Sequence, residues 1–474
     1  MRETIFAQSS GGFPSGVSVV RLSGAQTEHI VRSLCGTLPP PRHARLCKIC
    51  DPIQKDVIDI GLVLWFPAPK SFTGEDMAEF HVHGSMAVMD RLVALLCAQR
   101  HCRMAEAGEF TRRAFYAGKV DMTQAEAMAD LIMARTERQR QWAMHQMRGG
   151  LYKRYEAWRE RIMSVLAWSE ASLDFAYDDL PASMTQRWIG HVESLIREVE
   201  KTIHDVRGVK MREGFRVSIH GAPNVGKSSV FNALLRDERA IVYHEAGTTR
   251  DVLEGAMDIQ GYLVTLCDSA GIRDYESHVE AEGGRRSMEE VKKSDICLGI
   301  VSCDVRHAWQ ALSDVVNSYR DAHSDMHEGL HGTNDKVIVI VNKADIMDAG
   351  HHALWAEKAR HFCAEHDLSS PLFISAKRDH DVLSVQGRIG EEIMKIHRED
   401  SAMTDVAWTR TRHRHHLEEV ARHLRSALTH DDGVGSEMAA EDVRLALSSM
   451  GRIVGTVDVE AVLDRLFSTF CIGK

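Results

Sequence analysis

No stretch of the chain approaches the roughly 18 to 20 uninterrupted apolar residues that a membrane-spanning helix needs. The N-terminal Met1-Arg2-Glu3-Thr4-Ile5-Phe6 also lacks the apolar core of a secretory signal. A cytoplasmic protein is expected. Positive charge is not in excess either: 58 lysines and arginines against 68 aspartates and glutamates leave a formal charge of −10. That argues against wholesale coating of nucleic acid and confines any RNA contact to a regional patch. The ten cysteines form no regular framework, which fits reduced thiols better than a disulfide scaffold. Cys47-Lys48-Ile49-Cys50 is a C-x-x-C with no second pair nearby, so a loop is expected there ahead of a zinc or redox site. His81-Val82-His83 alternates along a strand without a third ligand close in sequence, and a structural role is expected.

What is present suggests about three domains, since 474 residues exceed a single core. Residues 1–118 alternate short apolar runs (Val17 to Leu22, Val57 to Phe66, Glu79 to Val82) with Gly, Pro and Ser breaks, the texture of an α+β domain with one helix near Ser85 to Cys97. Gly11, Gly12, Pro14 and Gly16 suggest a flexible lead-in before the first strand. From Lys119 the period turns helical, opened by Thr123 with Glu126 three residues on, a capping-box pattern, and with Met128, Leu131 and Ile132 on an apolar face. Trp188, Ile189, Val192, Leu195, Ile196, Val199 and Ile203 repeat that spacing in a second long helix.

Met211 to Gly214 reads as a short charged linker, after which strands and helices alternate to about residue 379 as in a parallel α/β domain. Helical spacing returns at Leu417, Val420, Leu424 and Leu428, then at Val459, Val462, Leu463 and Leu466. The expected fold is therefore multidomain α/β plus α. A helical domain built from segments 119–212 and 380–474 encloses an inserted P-loop module, residues 213–379, behind the N-terminal domain.

The module opens on Gly221-Ala222-Pro223-Asn224-Val225-Gly226-Lys227-Ser228-Ser229, a full G-x-x-x-x-G-K-[ST] between the buried run Phe215 to Ile219 and a helix start. Its glycines let backbone N–H groups turn onto phosphate oxygens, Lys227 neutralises β/γ charge, and Ser228 suits Mg²⁺. The helix N-terminus adds its own positive field. Base choice falls to Asn342-Lys343-Ala344-Asp345 and Ser375-Ala376-Lys377, each closing a buried strand. They resemble the guanine-reading motifs of GTPases, with Asp345 accepting from the guanine N1 and N2 hydrogens, a donor pair adenine lacks. Asp268-Ser269-Ala270-Gly271 resembles the D-x-x-G switch, and Thr249 in Gly247-Thr248-Thr249-Arg250-Asp251 matches the switch threonine that closes on Mg²⁺. One absence is informative. Ile272 stands where Ras-type enzymes place the water-orienting glutamine, and Arg250 and Arg273 are expected in surface roles rather than as a finger.

Over its whole length the chain resembles the MnmE (TrmE) family of tRNA modification GTPases, within the TrmE-Era-like group. The resemblance rests on Val20-Arg21-Leu22-Ser23-Gly24, Ser71-Phe72-Thr73-Gly74-Glu75-Asp76, Gly108-Glu109-Phe110-Thr111-Arg112-Arg113-Ala114-Phe115 and Asp121-Met122-Thr123-Gln124-Ala125-Glu126-Ala127. The nucleotide motifs and the terminal Cys471-Ile472-Gly473-Lys474 complete it. It implies that K⁺ is held by Asn224, Tyr243, Glu245 and Thr248 and takes the place of a finger's charge when two G domains meet. It carries the nucleotide contacts through Tyr243, His244, Glu245, Ala246, Gly247, Thr248 and Thr249, and makes Glu280 the acid that orients water.

The resemblance further implies a constitutive homodimer through an N-terminal domain that binds 5-formyl- or 5,10-methylene-tetrahydrofolate at Arg21, Glu75, Lys119 and Lys474. Cys471 is either a reactive thiol near the one-carbon chemistry or an apolar packing residue. The implied reaction is joint with the FAD- and NADH-using partner GidA (MnmG), in a heterotetramer, on C5 of the wobble uridine of tRNA. Two wordings depart from the family's: Asp268-Ser269-Ala270-Gly271 for the usual D-T-A-G, and Gly11-Gly12-Phe13-Pro14-Ser15-Gly16 near the first strand. The competing class is a GTP-dependent ribosome-assembly or signalling switch sharing the asparagine-containing P-loop. The residues outside the module separate the two.

Overall fold

A computed structural model describes residues 3–173, 182–236, 240–241, 253–268, 289–305, 307–323, 336–397, 410–430, 437–457, 466 and 473. It falls into two compact units. One comprises Met1–Ile132, Met144–Ile203 and Thr411–Lys474, the other Met133–Ala143 and His204–Arg410.

The first unit holds a sheet of β1 (Thr4–Gln8), β2 (Ser15–Ser23), β3 (Arg45–Cys50), β4 (Val57–Phe66), β5 (Met77–Gly84) and β6 (Cys102–Met104), in the order β3-β4-β5-β2-β1-β6. Alternation sets its faces. Val20, Leu22, Phe80, Val82, Val63 and Trp65 pack under α1 (Thr27–Cys35) and α2 (Met86–Cys97). Arg21, Glu79 and His81 occupy the alternate positions, in register across β2 and β5. The lead-in is not flexible throughout: Thr4, Ile5, Phe6 and Ala7 are buried in β1, between β2 and β6, because their side chains fill the sheet's core. The C-x-x-C is no loop either. Cys47 and Cys50 lie on β3, with a register shift between Ile49 and Cys50. His81 and His83 pair with Glu79 and Asp59, as a structural role requires.

After α3 (Glu109–Tyr116) come α4 (Met122–Met133), α5 (Glu137–Met147), α6 (Gly150–Leu173) and α7 (Ala182–Ile203). The capping box of α4 is shifted from the expected pair. Asp121 Oδ1 accepts from the Gln124 N–H and Gln124 Oε1 accepts from the Asp121 N–H, both at 3.0 Å. Asp is as good an N-cap as Thr, and its position just before the helix wins. The apolar face differs too. Met122, Ala125 and Ala127 are buried, whereas Ile132 is 43% exposed. Glu126 turns inward to Arg412 (Nη2 to Oε1, 2.9 Å) and His413 (Nε2 to Oε2, 2.7 Å) at the start of the returning helix.

In the second unit, α8 (Arg207–Glu213) precedes β7 (Phe215–His220), α9 (Lys227–Leu235), β8 (Ala240–Ile241), β9 (Leu253–Ile259), β10 (Tyr262–Asp268) and β11 (Ile296–Ser302). Then follow α10 (Ala308–His323), β12 (Val337–Asn342), α11 (Ala349–Glu365), β13 (Leu372–Phe373) and α12 (Asp379–His397). The linker expected at Met211 to Gly214 is the end of α8. It is helical because Met211 is buried in the module's core and Lys210 reaches Asp295. The sheet order is β13-β12-β11-β7-β10-β9-β8, parallel from β13 to β10. Every residue of β11 and β12 is buried, as in a sheet covered on both faces. The segment 133–143 belongs here: Trp142 joins the core, and Arg138 lies over the Tyr262 ring with Nη1 donating to its hydroxyl at 2.6 Å.

Two helices of the first unit follow this insertion in sequence, α13 (Thr411–Leu428) and α14 (Glu437–Val454). They pack on each other, with α7 against α13 and α6 against α14. Trp188, Val192, Leu195 and Val199 are fully buried along α7, and Leu417, Val420 and Leu424 along α13. The two helical segments thus share one packed bundle. Among the described residues no helix is long and apolar enough to cross a membrane.

Candidate functional site

The carboxyl ends of β7, β10, β11 and β12 lie side by side, with Asp268 in register with Ile219 and Ser302 with Asn342. Open parallel sheets bind ligands at that edge. The loop from Gly221 to Gly226 starts there, and two of its glycines are required. Gly221 has φ +149°, and a Cβ on it would stand 2.2 Å from the Ile300 carbonyl oxygen. Gly226 has φ +95°, and its Cβ would stand 2.3 Å from Asn342 Nδ2. Asn224, at φ 64°, occupies the left-handed region that asparagine tolerates. The first turn of α9 begins at Lys227, so its unpaired N–H groups face the loop.

Lys227 arches over this loop, Nζ donating to the carbonyl oxygens of Gly221 and Ala222 at 3.0 Å. Burial pulls its pKa below the ordinary lysine value while Asp268 pulls the other way. A partly desolvated ammonium gains most from a phosphate anion. Ser228 Oγ donates to Asp268 Oδ2 at 3.0 Å, and Asp268 is 1% exposed. A hydroxyl and a buried carboxylate this close form a hard oxygen pair, which fits Mg²⁺.

The base-reading motif is hydrogen-bonded to the phosphate loop. Asn342, 2% exposed, donates through Nδ2 to the Val225 carbonyl at 3.0 Å and accepts through Oδ1 from the Ala376 N–H at 3.4 Å. Lys343, at φ 61°, donates to the Asn224 carbonyl at 2.8 Å and to Asp304 Oδ2 at 2.6 Å. Asp345 sits in the short 3-10 turn Ala344–Ile346, with Lys377 Nζ 3.7 Å from its Oδ2. A hydrogen bond from Ser375 holds its carboxyl below the usual carboxylate range against a smaller desolvation cost, so it is an ionised acceptor. Ser375 is itself fixed by its N–H on Asp381 Oδ2 at 2.8 Å. The described half of the site thus joins a glycine-lined loop at a helix N-terminus, a hydroxyl–carboxylate pair and an ionised carboxylate in the Asn342–Asp345 turn. Tyr243, His244, Glu245, Ala246, Gly247, Thr248, Thr249, Ser269, Ala270, Gly271 and Glu280 lie outside the described residues, as do Cys471 and Lys474.

Comparison with known proteins settles what this geometry belongs to. The family model of the MnmE helical domain matches residues 122–471, and that of the GTP-binding protein TrmE N-terminus matches residues 4–119. The chain belongs to the MnmE tRNA modification GTPase family. It is 41% identical to the tRNA modification GTPase MnmE of Phenylobacterium zucineum and 40% identical to that of Caulobacter vibrioides, each over all of both chains. It is also 39% identical to a mitochondrial 5-taurinomethyluridine-[tRNA] synthase subunit of Danio rerio, over all of this chain and 93% of that one. With its family it is a GTPase that acts in tRNA modification.

In the N-terminal domain of this MnmE-family chain, the expected positions fall on neighbouring elements. Arg21 on β2 binds Glu79 Oε1 through Nε and Nη2 at 3.0 and 2.9 Å. Two residues along β2, Ser23 donates to Glu75 Oε2 at 2.7 Å. Lys119 Nζ donates to the Pro69 carbonyl at 2.6 Å, and its Cε would lie 3.4 Å from a Cβ on Gly74, which has φ +78°. Gly74 thus lies against the Lys119 side chain, while the Glu75 carboxylate beside it turns to Ser23 and Arg113. Gly473 packs on Gln8 and Ser9, whose Oγ donates to its carbonyl at 3.2 Å, so Gly473 lies at the end of β1.

Several residues that shape these sites have no role assigned from the sequence. Asp304 anchors Lys343, and its only local signal is a carboxylate just beyond a buried strand of a parallel sheet. Asp381 braces Ser375 from the start of α12. Arg113 bonds Glu75, Glu109 and the Glu3 carbonyl at 2.9 Å each, tying β1 and α3 to the Glu75 loop.

Proposed function

We propose that the chain is a K⁺-stimulated GTP hydrolase, activated when two of its G domains pair, that serves C5 modification of the wobble uridine, position 34, of certain tRNAs. Its FAD- and NADH-using partner is of the GidA (MnmG) type, and together they add an aminomethyl or carboxymethylaminomethyl group in the cytoplasm. The observation that carries the reading is the phosphate loop: Asn224 stands in it at φ 64°, while Ile272 leaves the enzyme without the usual glutamine. A residue pattern short of both glutamine and finger calls for another positive charge at the phosphates.

Asn224, Tyr243, Glu245 and Thr248 would hold K⁺, and Ser228 and Thr249 Mg²⁺ with Asp268 behind them. Bound there, the cations offset the charge that spreads over the transferring phosphoryl group. Lys227 and the first N–H groups of α9 hold the β- and γ-phosphates, Asp345 selects guanine, and Glu280 orients the attacking water. The Ser228–Asp268 pair supports the Mg²⁺ half of this assignment. Asn224 supplies the amide oxygen suited to K⁺, its other partners lying outside the described residues.

Residues 1–118 are proposed as the tetrahydrofolate-binding and dimerisation domain, 119–212 and 380–474 as the helical domain, and 213–379 as the G domain, although segment 133–143, α8 and α12 pack into the G domain's compact unit. Arg21, Glu75, Lys119 and Lys474 would bind 5-formyl- or 5,10-methylene-tetrahydrofolate, which supplies the one-carbon unit. The contact of Gly74 with Lys119, the hydrogen bond of Glu75 to Ser23 on β2, and the place of Gly473 at the end of β1 support this reading. A homodimer is supported by an uncovered apolar sheet face: Leu46, Ile60 and Leu62 are 66%, 48% and 42% exposed, and Leu46 and Leu62 are register partners. The Danio rerio relative's name supports uridine as the modified base.

The reading is tested by GTP hydrolysis of the full chain in K⁺ against Na⁺. Turnover should be faster in K⁺, and Asn224→Ala should remove that difference while GTP still binds. Equal turnover in the two salts overturns the K⁺ assignment.

A further inference from the structure

The helical bundle carries a cluster that neither the fold nor the proposed reaction uses. On α13, His415, His416 and Glu419 each offer a ligand atom, and these atoms lie within 4.8 Å of one another. Helical spacing explains the convergence, because residues three and four apart share a face. His416 Nδ1 stands 2.9 Å from Glu419 Oε2, and His415 Nε2 stands 3.7 Å from Glu419 Oε1. The two imidazoles, with ring centroids 5.3 Å apart, thus close on the two oxygens of one carboxylate.

We propose that His415 Nε2, His416 Nδ1 and the Glu419 carboxylate form a binding site for a divalent transition-metal ion of the zinc class. Two imidazole nitrogens with one carboxylate oxygen are a donor set for borderline cations, whereas Mg²⁺ prefers oxygen alone. Around a tetrahedral ion with bonds of about 2.0 to 2.1 Å, ligand atoms stand roughly 3.3 Å apart, which small side-chain rotations reach from the observed spacing. Glu419 is also hydrogen-bonded to Ser449 on α14, so the site is anchored on two helices. The exposed side of His415 leaves the remaining coordination position to water. Two cations stand near: Arg422 Nη2, 3.7 Å from Glu419 Oε1 with its side chain 64% exposed and free to swing into solvent, and Arg412, which is held by Glu126 and acts on His416 at longer range.

The experiment is calorimetric titration of the chelator-treated full chain with Zn²⁺ in excess Mg²⁺, together with Tm in each state. The wild type should bind one Zn²⁺ per chain and gain several degrees in Tm, whereas His415→Ala/His416→Ala and Glu419→Gln should neither bind that ion nor gain in Tm. His351→Ala/His352→Ala, which removes another adjacent histidine pair on a helix surface, should bind as the wild type does. Glu419→Gln keeps the side-chain shape and so separates lost ligation from lost folding. Zn²⁺ affinity and stoichiometry unchanged in both site variants overturn the proposal, as does equal loss in the His351/His352 control.

Discussion

Asn342 Nδ2 donates to the Val225 carbonyl oxygen at 3.0 Å, so the base-reading loop and the phosphate loop are one hydrogen-bonded body. The same side chain receives the Ala376 N–H. Three segments far apart in sequence are therefore positioned by one buried amide, and Gly226 is glycine because that amide occupies the space of its Cβ.

Asn342→Ala removes both bonds and leaves the buried Val225 carbonyl and the half-buried Ala376 N–H without them. A cost of about 1 to 3 kcal/mol in module stability follows. GTP affinity should fall on the order of tenfold or more, since each 1.4 kcal/mol is a factor of ten. Denaturant unfolding and fluorescent-nucleotide binding measure the two effects. Unchanged affinity would show that the loops are positioned independently.

Asp345→Asn tests the guanine acceptor. The ionised carboxylate accepts from two guanine hydrogens, and charged hydrogen bonds are worth about 1.5 to 3 kcal/mol each. GTP binding should fall on the order of tenfold to a hundredfold. Xanthosine triphosphate should gain, because xanthine presents a carbonyl where guanine presents its amino group. Competition binding of the two nucleotides reads this exchange.

Glu109 gives the N-terminal domain an acid-sensitive anchor. Burial opposes its ionised form, but hydrogen bonds from Arg103, the Glu106 N–H and Arg113 outweigh it and hold the carboxyl at about 2, against an ordinary value of 4.5. A folded pKa below the unfolded one contributes stability that is present above the unfolded value and lost as pH falls through the folded one. Hydrogen exchange of the β1 and β2 amides should therefore accelerate between pH 4.5 and 2, after correction for intrinsic rates. Glu109→Gln should accelerate it already at pH 7 and flatten the acid dependence. A variant that keeps the wild-type acid dependence would assign it elsewhere.

Glu280→Ala should leave GTP binding intact and abolish turnover, since the family resemblance gives that residue the attacking water. Nucleotide titration beside single-turnover hydrolysis separates the two steps. Unchanged hydrolysis would return Glu280 to an ordinary surface charge.

The legible parts of the sequence were those whose chemistry is local. A phosphate loop needs its glycines, lysine and serine within nine positions, and the strand that aims it is the apolar run just before. Pairings across the chain left no such trace. Glu126 has the spacing of a capping box, yet it is buried against Arg412, 286 residues away, while Asp121 and Gln124 cap the helix. Asp304 and Lys343 likewise meet only because β11 and β12 end side by side. The charged run at Met211 has the look of a linker because its single buried methionine shows no period over so few residues.

The most direct test is analysis of wobble-uridine modification in tRNA from a strain lacking this gene, complemented with the wild-type chain or with Lys227→Ala. The account predicts C5-unmodified uridine at position 34 in the deletion strain, restored by the wild type and not by the variant. Normal C5 modification in the deletion strain would contradict it and favour a GTP-dependent assembly switch.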